Sequence, residues 1–249
     1  MKKDIAQKVL NETEAGYDLI CIKFSQTRKH FWRSLEFIAD HVKKGDSVLD
    51  FGCGNGRLLE LFEEKNVQYW GVDVSGGLID LAKSKHPEQN ISFSKIDPKK
   101  KTLAFEERFF NTVYSIAVFH HFPSKEYRQA VANDLFRVTK DGGKVVITAW
   151  YLWPVFFADW RIWQVKQKKY FKNILQNWKS KIKGESLLDW NDCEIDFTDN
   201  QGKKFARFHH AFTRRELKRL FQKAGYEIER CEIVENKNIL LIGKKTKKT

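Results

Sequence analysis

From residue 47 to residue 150, short apolar runs alternate with segments in which apolar residues recur at helical spacing. The apolar runs have the length of buried strands, and they cover residues 47–51, 69–72, 91–96, 110–118 and 144–150. The helical patterns cover residues 31–42, 57–65, 75–85 and 124–139. Because parallel strands need a crossover connection, this order predicts an α/β fold with a doubly wound, mostly parallel sheet and helices on both faces.

The pattern changes after residue 150. Residues 151–190 are aromatic and basic at helical spacing, whereas residues 191–204 are polar and acidic and indicate an exposed loop. A helix capped by Thr213 follows, and the apolar runs 226–234 and 238–243 predict a closing antiparallel hairpin. The expected sheet therefore has seven strands, with a helical insertion before its last two.

Three glycines follow the first predicted strand at alternate positions, in the run SVLDFGCGNG of residues 47–56. A strand, a glycine turn and a helix bring backbone N–H groups close to a ligand. Asp73 ends the second strand, where a carboxylate can accept hydrogen bonds from the hydroxyls of a ribose. Gly52, Gly54, Gly56 and Asp73 therefore indicate a nucleoside-type cofactor, although a simple turn is the alternative for the glycines alone.

An acidic residue, Asp50, directly precedes the glycine turn. It would repel the pyrophosphate of a dinucleotide and suits a cationic ligand such as S-adenosylmethionine. The run DFGCGNG resembles motif I of the class I S-adenosylmethionine-dependent methyltransferases, which have a Rossmann-like fold. The resemblance implies that Asp50 and the glycines face the methionine part and Asp73 the ribose. It also implies that Asp97 contacts the adenine, the alternative being a turn residue before Pro98.

Composition adds limits on location and on metal chemistry. No apolar run approaches the roughly 18–20 residues that cross a bilayer, and the first residues lack the apolar segment of a signal peptide. Four cysteines are scattered without CxxC spacing, so we expect neither a metal site nor a disulfide framework. We expect one cytoplasmic domain without membrane contact, made of a helical cap (1–45), a cofactor-binding core (46–150), an insertion (151–204), and a C-terminal helix and hairpin (205–249).

The net charge of +13 favours polyanionic partners, with a solubility surface as the alternative. Eight lysines and arginines but one acidic residue lie between Asp159 and Lys183, and six of the eight tryptophans lie between residues 150 and 190. Aromatic residues interleaved with positive charge suit stacked bases and phosphates. An amphipathic helix with solvated lysines is the other interpretation, and one helix can satisfy both.

Three stretches together resemble the tRNA wobble-uridine methyltransferases that esterify a carboxymethyl group at the anticodon. YDLICIKFSQTRKHFW (17–32) is similar to that family's YDxIAxxFSxTRxxxW, SIAVFHHF (115–122) to its AVxHH, and RFHHAFTRREL (207–217) to its RYYH segment. Residues 151–190 do not match the family pattern. The resemblance implies a tRNA substrate and, as for eukaryotic members, a small zinc-containing activator protein.

A carboxylate acceptor is ionised at neutral pH and needs no general base. Arg28 and Arg207 are the candidate ligands for it, because arginine binds carboxylates and phosphates bidentately; a structural ion pair is the alternative for each. His120 leaves the fourth strand at the edge where α/β sheets bind ligands, and we expect it, rather than His121, to face the site. Tyr17 is expected to help enclose the cofactor. A small-molecule acceptor and a non-catalytic RNA-binding subunit are the alternative functions.

Overall fold

The computed structural model describes residues 1–154, 165–198, 201–202 and 204–246. Seven strands form one sheet in the order β3-β2-β1-β4-β5-β9-β8, and two more form a separate small sheet. The strands of the large sheet are β1 (Ser47–Phe51), β2 (Gln68–Asp73), β3 (Ile91–Lys95), β4 (Phe110–Ile116), β5 (Thr139–Trp150), β8 (Glu227–Val234) and β9 (Asn238–Lys244), and those of the small sheet are β6 (Asp192–Thr198) and β7 (Lys204–His210).

The first five strands are parallel, and β9 and β8 continue the sheet in antiparallel pairing. The predicted fold class is therefore confirmed, including its C-terminal hairpin. Strand order reverses between β1 and β4, and ligands of such sheets bind at the carboxyl ends of the strands beside that reversal.

In the part of the chain that the structure describes, five α-helices accompany the sheets, namely α1 (Lys3–Thr27), α2 (Gly76–Lys85), α3 (Lys125–Val138), α4 (Val165–Ile182) and α5 (Arg214–Ala224). The segments Arg33–His41 and Arg57–Lys65 are 3₁₀ helical. The side-chain oxygens of Ser75, Ser124 and Thr213 each accept a hydrogen bond from a backbone N–H in the first turn of the following helix, which confirms the cap predicted at Thr213. None of the helices among the described residues is long and apolar enough to span a bilayer.

Neighbouring strand residues point to two different cores. Leu49 and Val145 pack with α3 and α5 on one face, whereas Val48 and Val146 pack with α2 and the 3₁₀ segments on the other. Both faces of the parallel strands are thus covered, which is why these strands read as continuous apolar runs.

Two expectations about the chain outside the core are wrong. The polar residues 1–15 predict a loosely held segment, but from Lys3 onward they belong to α1, where Val9 and Leu10 are buried. Residues 192–198 do not form an exposed loop but strand β6, whose Cys193 and Ile195 are buried in a third core beside Leu152. The alternation of acidic and apolar residues in this stretch is a strand pattern.

The basic insertion forms helix α4 where the structure describes it. Ile174 is fully buried, and Tyr170, Phe171 and Trp178 pack against the same third core. Lys168, Lys169 and Lys172 are exposed. The helix is therefore amphipathic, with its aromatic residues packed inward. Residues 159–164 of the basic segment, with Trp160 and Trp163, lie outside the described residues.

Candidate active site

A cleft of about 950 Å³ opens at the carboxyl edge of the large sheet, beside the strand reversal. The loop after β1 and the end of β2 form one end of it, and β7 with the segment after β4 forms the other. Tyr17 and Phe24 of helix α1, and Arg28 directly after it, also line the cleft. The cleft thus has a cofactor half, around Gly52, Gly54 and Asp73, and an acceptor half, around Arg207 and His120.

The glycine turn needs residues without side chains. Gly52 and Gly54 line the cleft with φ of +81° and +56°, and a Cβ on Gly52 would lie 2.3 Å from Cγ2 of Val118. Gly56 also has a positive φ, but it lies outside the cleft lining, and a Cβ there would approach the ring of Phe93 at 3.0 Å. Two of the three predicted glycines therefore line the cleft, whereas Gly56 is required by its close packing against Phe93.

Asp73 is held by backbone N–H groups on both sides. Its Oδ2 accepts from Gly54 N at 2.9 Å and its Oδ1 accepts from Ser75 N at 2.9 Å. Burial raises the pKa of this carboxyl, although those hydrogen bonds oppose the shift. An ionised carboxylate can accept about four hydrogen bonds, so Asp73 retains acceptor positions for a pair of hydroxyls.

Asp50 lies beneath the glycine turn, where it lines a smaller adjoining cavity with Arg57. Its Oδ2 accepts from the Tyr69 hydroxyl at 2.6 Å. Burial, opposed by this hydrogen bond, raises the pKa of Asp50 to about 7. A buried acid without a positive partner in contact favours a cationic group nearby.

Asp97 lies beside the cleft rather than in its lining. It is exposed, and its Oδ1 accepts from Lys99 N at 2.9 Å, which makes it part of a turn. Its neighbours Ile96 and Pro98 line the cleft instead. Contact between Asp97 and an adenine stays a prediction.

Arg207 is a buried cation in the acceptor half, 6% exposed. Its guanidinium carbon lies 4.8 Å from the ring centre of Phe197 and 5.7 Å from that of Trp150, and its Nη1 donates to the Tyr17 hydroxyl at 3.5 Å. Its Nε has no hydrogen-bond partner among the described residues. No carboxylate in the described part of the chain lies within 4.0 Å of it, so the ion-pair alternative finds no support there.

Arg28 follows the end of α1 and lines the cleft nearer its mouth. Its Nη1 donates to Thr27 Oγ1 at 3.0 Å, and its guanidinium carbon lies 4.2 Å from the ring centre of Phe24. Partial burial lowers the pKa of Arg28. No acidic partner is within 4.0 Å among the residues described.

Both histidines of the predicted pair line the cleft, contrary to the expectation that at most one would face it. Residues Phe119–His121 form a 3₁₀ turn rather than an extended strand end, so the two side chains do not diverge. Nδ1 of His121 bonds to the carbonyl of Phe208 at 2.9 Å and therefore carries the proton. Its Nε2 then accepts from the Tyr17 hydroxyl at 2.7 Å.

His120 has one nitrogen left for a ligand. Its Nδ1 accepts from the backbone N of Trp150 at 3.2 Å, so Nε2 carries the hydrogen, and that atom is buried with no partner among the described residues. Burial lowers the pKa of His120 well below its ordinary value, and it lowers that of His121 to about 3. Both rings are therefore neutral at physiological pH.

Trp150 lines the cleft and His209 packs against its wall, but neither residue was assigned to the site from the sequence. The ring of His209 stacks on that of His120 with centroids 5.0 Å apart, and Trp150 lies 5.2 Å from His209. Because residues 207 and 209 share one face of a strand, the placement of Arg207 could have indicated His209.

Suitable nitrogen atoms of the three histidines His120, His121 and His209 lie within 4.8 Å of one another. The hydrogen bonds do not favour a metal ion there. Nδ1 of His120 faces an N–H donor, so its Nε2 cannot present a lone pair without breaking that bond. Both nitrogens of His121 are already engaged. The cluster instead presents hydrogen-bonding groups to a polar ligand.

A family described as a methyltransferase domain matches residues 24–230. The chain belongs to this methyltransferase family. The methyltransferase is 34% identical over 134 residues to a tRNA (carboxymethyluridine(34)-5-O)-methyltransferase of Arabidopsis thaliana, a match that covers 54% of this chain and 31% of the relative. For two further curated relatives, the matched share of the relative is 20% and 35%.

Solved structures share the fold of the methyltransferase at low identity. An S-adenosylmethionine-dependent methyltransferase of Methanosarcina mazei superposes with a TM-score of 0.65 at 22% identity, over 88% of this chain and 100% of that one. A methyltransferase of Haloferax volcanii, solved in complex with the Trm112 methyltransferase activator, superposes with a TM-score of 0.64 at 14% identity, over 95% and 99% of the two chains.

The cofactor half of the methyltransferase fits S-adenosylmethionine, the cofactor named for the Methanosarcina mazei structure. Gly52 and Gly54 line this half, and a Cβ on either would press on Val118 or Phe24, two side chains of the cleft wall. Asp73 offers acceptors for ribose hydroxyls, and Asp50 is an acid suited to the cationic methionine part. Apolar residues of the same wall, including Leu78 and Ile96, offer contacts for a flat ring.

Proposed function

We propose that this methyltransferase converts a carboxymethyl-modified wobble uridine of tRNA to its methyl ester. The observation that carries the proposal is Arg207, a buried guanidinium in the cleft wall with no carboxylate within 4.0 Å among the described residues. A buried charge is costly unless it is paired, so a cation left in this state favours an anionic ligand. The name of the Arabidopsis thaliana relative supports the choice of acceptor.

The chemistry asks little of the protein beyond position. Bound S-adenosylmethionine supplies a methyl group on a sulfonium, so transfer breaks a sulfur–carbon bond and forms an oxygen–carbon bond. The acceptor carboxylate is ionised near neutral pH, with a pKa of about 4, and no proton has to move. The side chains therefore serve to align the attacking oxygen and to exclude water.

Each residue of the acceptor half takes one part of this task. Arg207 holds the carboxylate through Nε and a terminal nitrogen. The Nε2–H of His120 donates a second hydrogen bond to the acceptor, which its neutral state allows. Tyr17 and His121 are positioning residues. The Tyr17 hydroxyl accepts a hydrogen bond from the Arg207 guanidinium and donates one to the imidazole of His121, which is itself hydrogen-bonded to the backbone of β7. Arg28, nearer the mouth, binds a phosphate of the same substrate.

Helix α4 is the proposed docking element for the rest of the RNA. Lys168, Lys169 and Lys172 are exposed on it, whereas its aromatic residues pack inward. The helix therefore offers phosphate contacts rather than stacking platforms. A small zinc-containing activator protein is a further proposed partner; the Haloferax volcanii methyltransferase bound to Trm112 supports it.

The deciding experiment uses labelled S-adenosylmethionine and tRNA that carries unesterified carboxymethyluridine. After digestion to nucleosides, the label should appear as an alkali-labile methyl ester of the wobble uridine. Unmodified tRNA transcript is the matched control and should stay unlabelled. Label confined to small carboxylic acids in a metabolite extract would contradict the proposal and favour the small-molecule acceptor.

A further inference from the structure

A second concave surface lies outside the cleft, between α3 and α5. This basic groove of about 880 Å³ is bordered by the exposed cations Lys125, Arg215, Arg219 and Lys223. Arg128 and Phe212, both buried, form part of its floor. It lies on different elements from α4 and shares no lining residue with the cleft.

The four border cations are not neutralised by the protein. None of them has an acidic group within 4.0 Å among the residues that the structure describes, whereas surface cations elsewhere, such as Lys144 and Lys237, do. One acidic residue, Glu216, lines the groove. Its Oε1 bonds to Nε2 of His210 at 2.8 Å and also lies 4.0 Å from Arg128. The carboxylate of Glu216 is therefore paired with these two buried side chains and not with the border cations.

The spacing of the border cations suits an extended anion. Arg215, Arg219 and Lys223 recur every four residues along α5, which places them on one stripe with steps of about 6 Å. Lys125 stands on the facing helix. A line of separated positive charges over a shallow floor matches a chain of phosphates, whereas a small metabolite would need converging polar groups.

The groove is joined to the cleft through one side chain. Nη1 of Arg128 donates to the backbone carbonyl of Phe122 at 3.0 Å, and the ring of Phe122 lines the cleft. The cation at the floor of the groove is thus bonded to the wall of the cleft.

We propose that the basic groove binds the phosphodiester backbone of the RNA whose modified base occupies the cleft. This inference rests on the proposed function, and it adds a second contact surface beyond α4. An acidic protein or an anionic membrane would use the same charges, and the experiment separates these occupants.

The test compares two triple variants of the full chain. Arg215→Gln/Arg219→Gln/Lys223→Gln removes three groove charges; Lys8→Gln/Lys144→Gln/Lys237→Gln removes the same charge from lysines that lie within 4.0 Å of glutamates. We expect the groove variant to lose at least tenfold affinity for tRNA at moderate salt. Its slope of log affinity against log salt should fall by about 2 to 3, since each phosphate contact contributes about 0.7–0.9. The control variant should change little.

Three further readouts make the result decisive. Affinity for S-adenosylmethionine and methylation of free 5-carboxymethyluridine should be equal in both variants, because neither uses the groove. Arg215→Lys/Arg219→Lys should retain the slope, which excludes misfolding as the cause. Equal salt slopes for the two triple variants would overturn the inference. It would also be overturned if the groove variant lost binding to phosphatidylserine vesicles or to polyglutamate but bound tRNA as the wild type does. If the wild-type protein binds tRNA but does not methylate it, the proposed function fails, but the contribution of the groove to tRNA binding can still be measured.

Discussion

The two halves of the cleft differ in how their polar groups are satisfied. In the cofactor half, Asp73 accepts two backbone hydrogen bonds and Asp50 accepts one from Tyr69. Among the described residues, five buried side-chain polar atoms lack a partner; three belong to Arg207, His120 and His209 of the acceptor half, and the others are Asn55 Oδ1 and Ser115 Oγ. Unpaired buried groups reduce stability and discriminate strongly between ligands. We therefore expect the carboxylates of the cofactor half to be preformed for their ligand, and the acceptor half to discriminate more strongly between ligands.

Arg207→Met should have the largest effect. Removing the buried partner of a charged ligand costs about 2–5 kcal/mol, so kcat/KM for the carboxymethyluridine tRNA should fall by roughly 30-fold to more than 1,000-fold. Affinity for S-adenosylmethionine and the melting temperature should not fall, because no protein carboxylate loses its partner. Steady-state kinetics and calorimetry measure both, with Arg207→Lys as an intermediate case. A loss below threefold would remove Arg207 from the acceptor site.

Asp73→Ala comes next and affects the other half. Two ribose hydroxyls would lose their acceptor in a partly buried site, at a cost of about 1–3 kcal/mol. The dissociation constant for S-adenosylmethionine should therefore rise about 5-fold to 150-fold in calorimetry. Asp73→Asn keeps one acceptor oxygen, so its dissociation constant should lie between those of Asp73→Ala and the wild type. Wild-type affinity in Asp73→Ala would mean that the ribose lies elsewhere.

Asp50 gives the cofactor half a dependence on pH. Its pKa in the folded protein is raised to about 7, so the folded state binds a proton more tightly than the unfolded chain does. The resulting stability is fully present below about pH 4 and is lost as pH rises through 7, by at most about 4 kcal/mol. Asp50→Asn should flatten that part of the curve of unfolding free energy against pH. An unchanged curve would assign the dependence to another group.

His120→Phe should have the smallest effect of the four. It removes one hydrogen bond to the acceptor, worth about 1 kcal/mol, so kcat/KM should fall by about fivefold. Because burial lowers the pKa of His120 well below its ordinary value, the wild-type rate should not change between pH 6 and 8 through this residue. His121→Phe is the contrasting variant, since it breaks two protein hydrogen bonds and should lower the melting temperature. If His120→Phe lowered the melting temperature and His121→Phe lowered only kcat/KM, the roles assigned to the two histidines would have to be exchanged.

The residues of the cofactor half could be predicted from the sequence because they lie close together along the chain. Gly52, Gly54 and Asp73 lie at the ends of two adjacent parallel strands, and the chain fixes their spacing directly. The acceptor half brings together residues 17, 120 and 207, which only the folded chain makes neighbours. Arg207 was predicted from the chemistry of an anionic acceptor and His120 from its place at the end of the fourth strand, whereas His209 was missed because its partners lie on distant segments.

Helix α1 and strand β6 were misread for related physical reasons. Helix α1 is mostly polar and packs mainly against α2 and β7, although its Leu10 reaches the core of the large sheet. In β6, the acidic residues Glu194 and Asp196 alternate with buried Cys193 and Ile195. Composition suggested a loop, but periodicity determined the structure because one face packs on the third core.

Arg207 and Phe197 both lie on the β6–β7 hairpin, which forms its own two-stranded sheet. A hairpin can change in sequence and length without shifting the register of the seven-stranded sheet. If Arg207 holds the acceptor as proposed, exchange of this one hairpin changes acceptor recognition and leaves Gly52, Gly54 and Asp73 in place. Grafting the hairpin onto another protein of the same fold would then transfer Arg207 and Phe197 without altering the glycine turn.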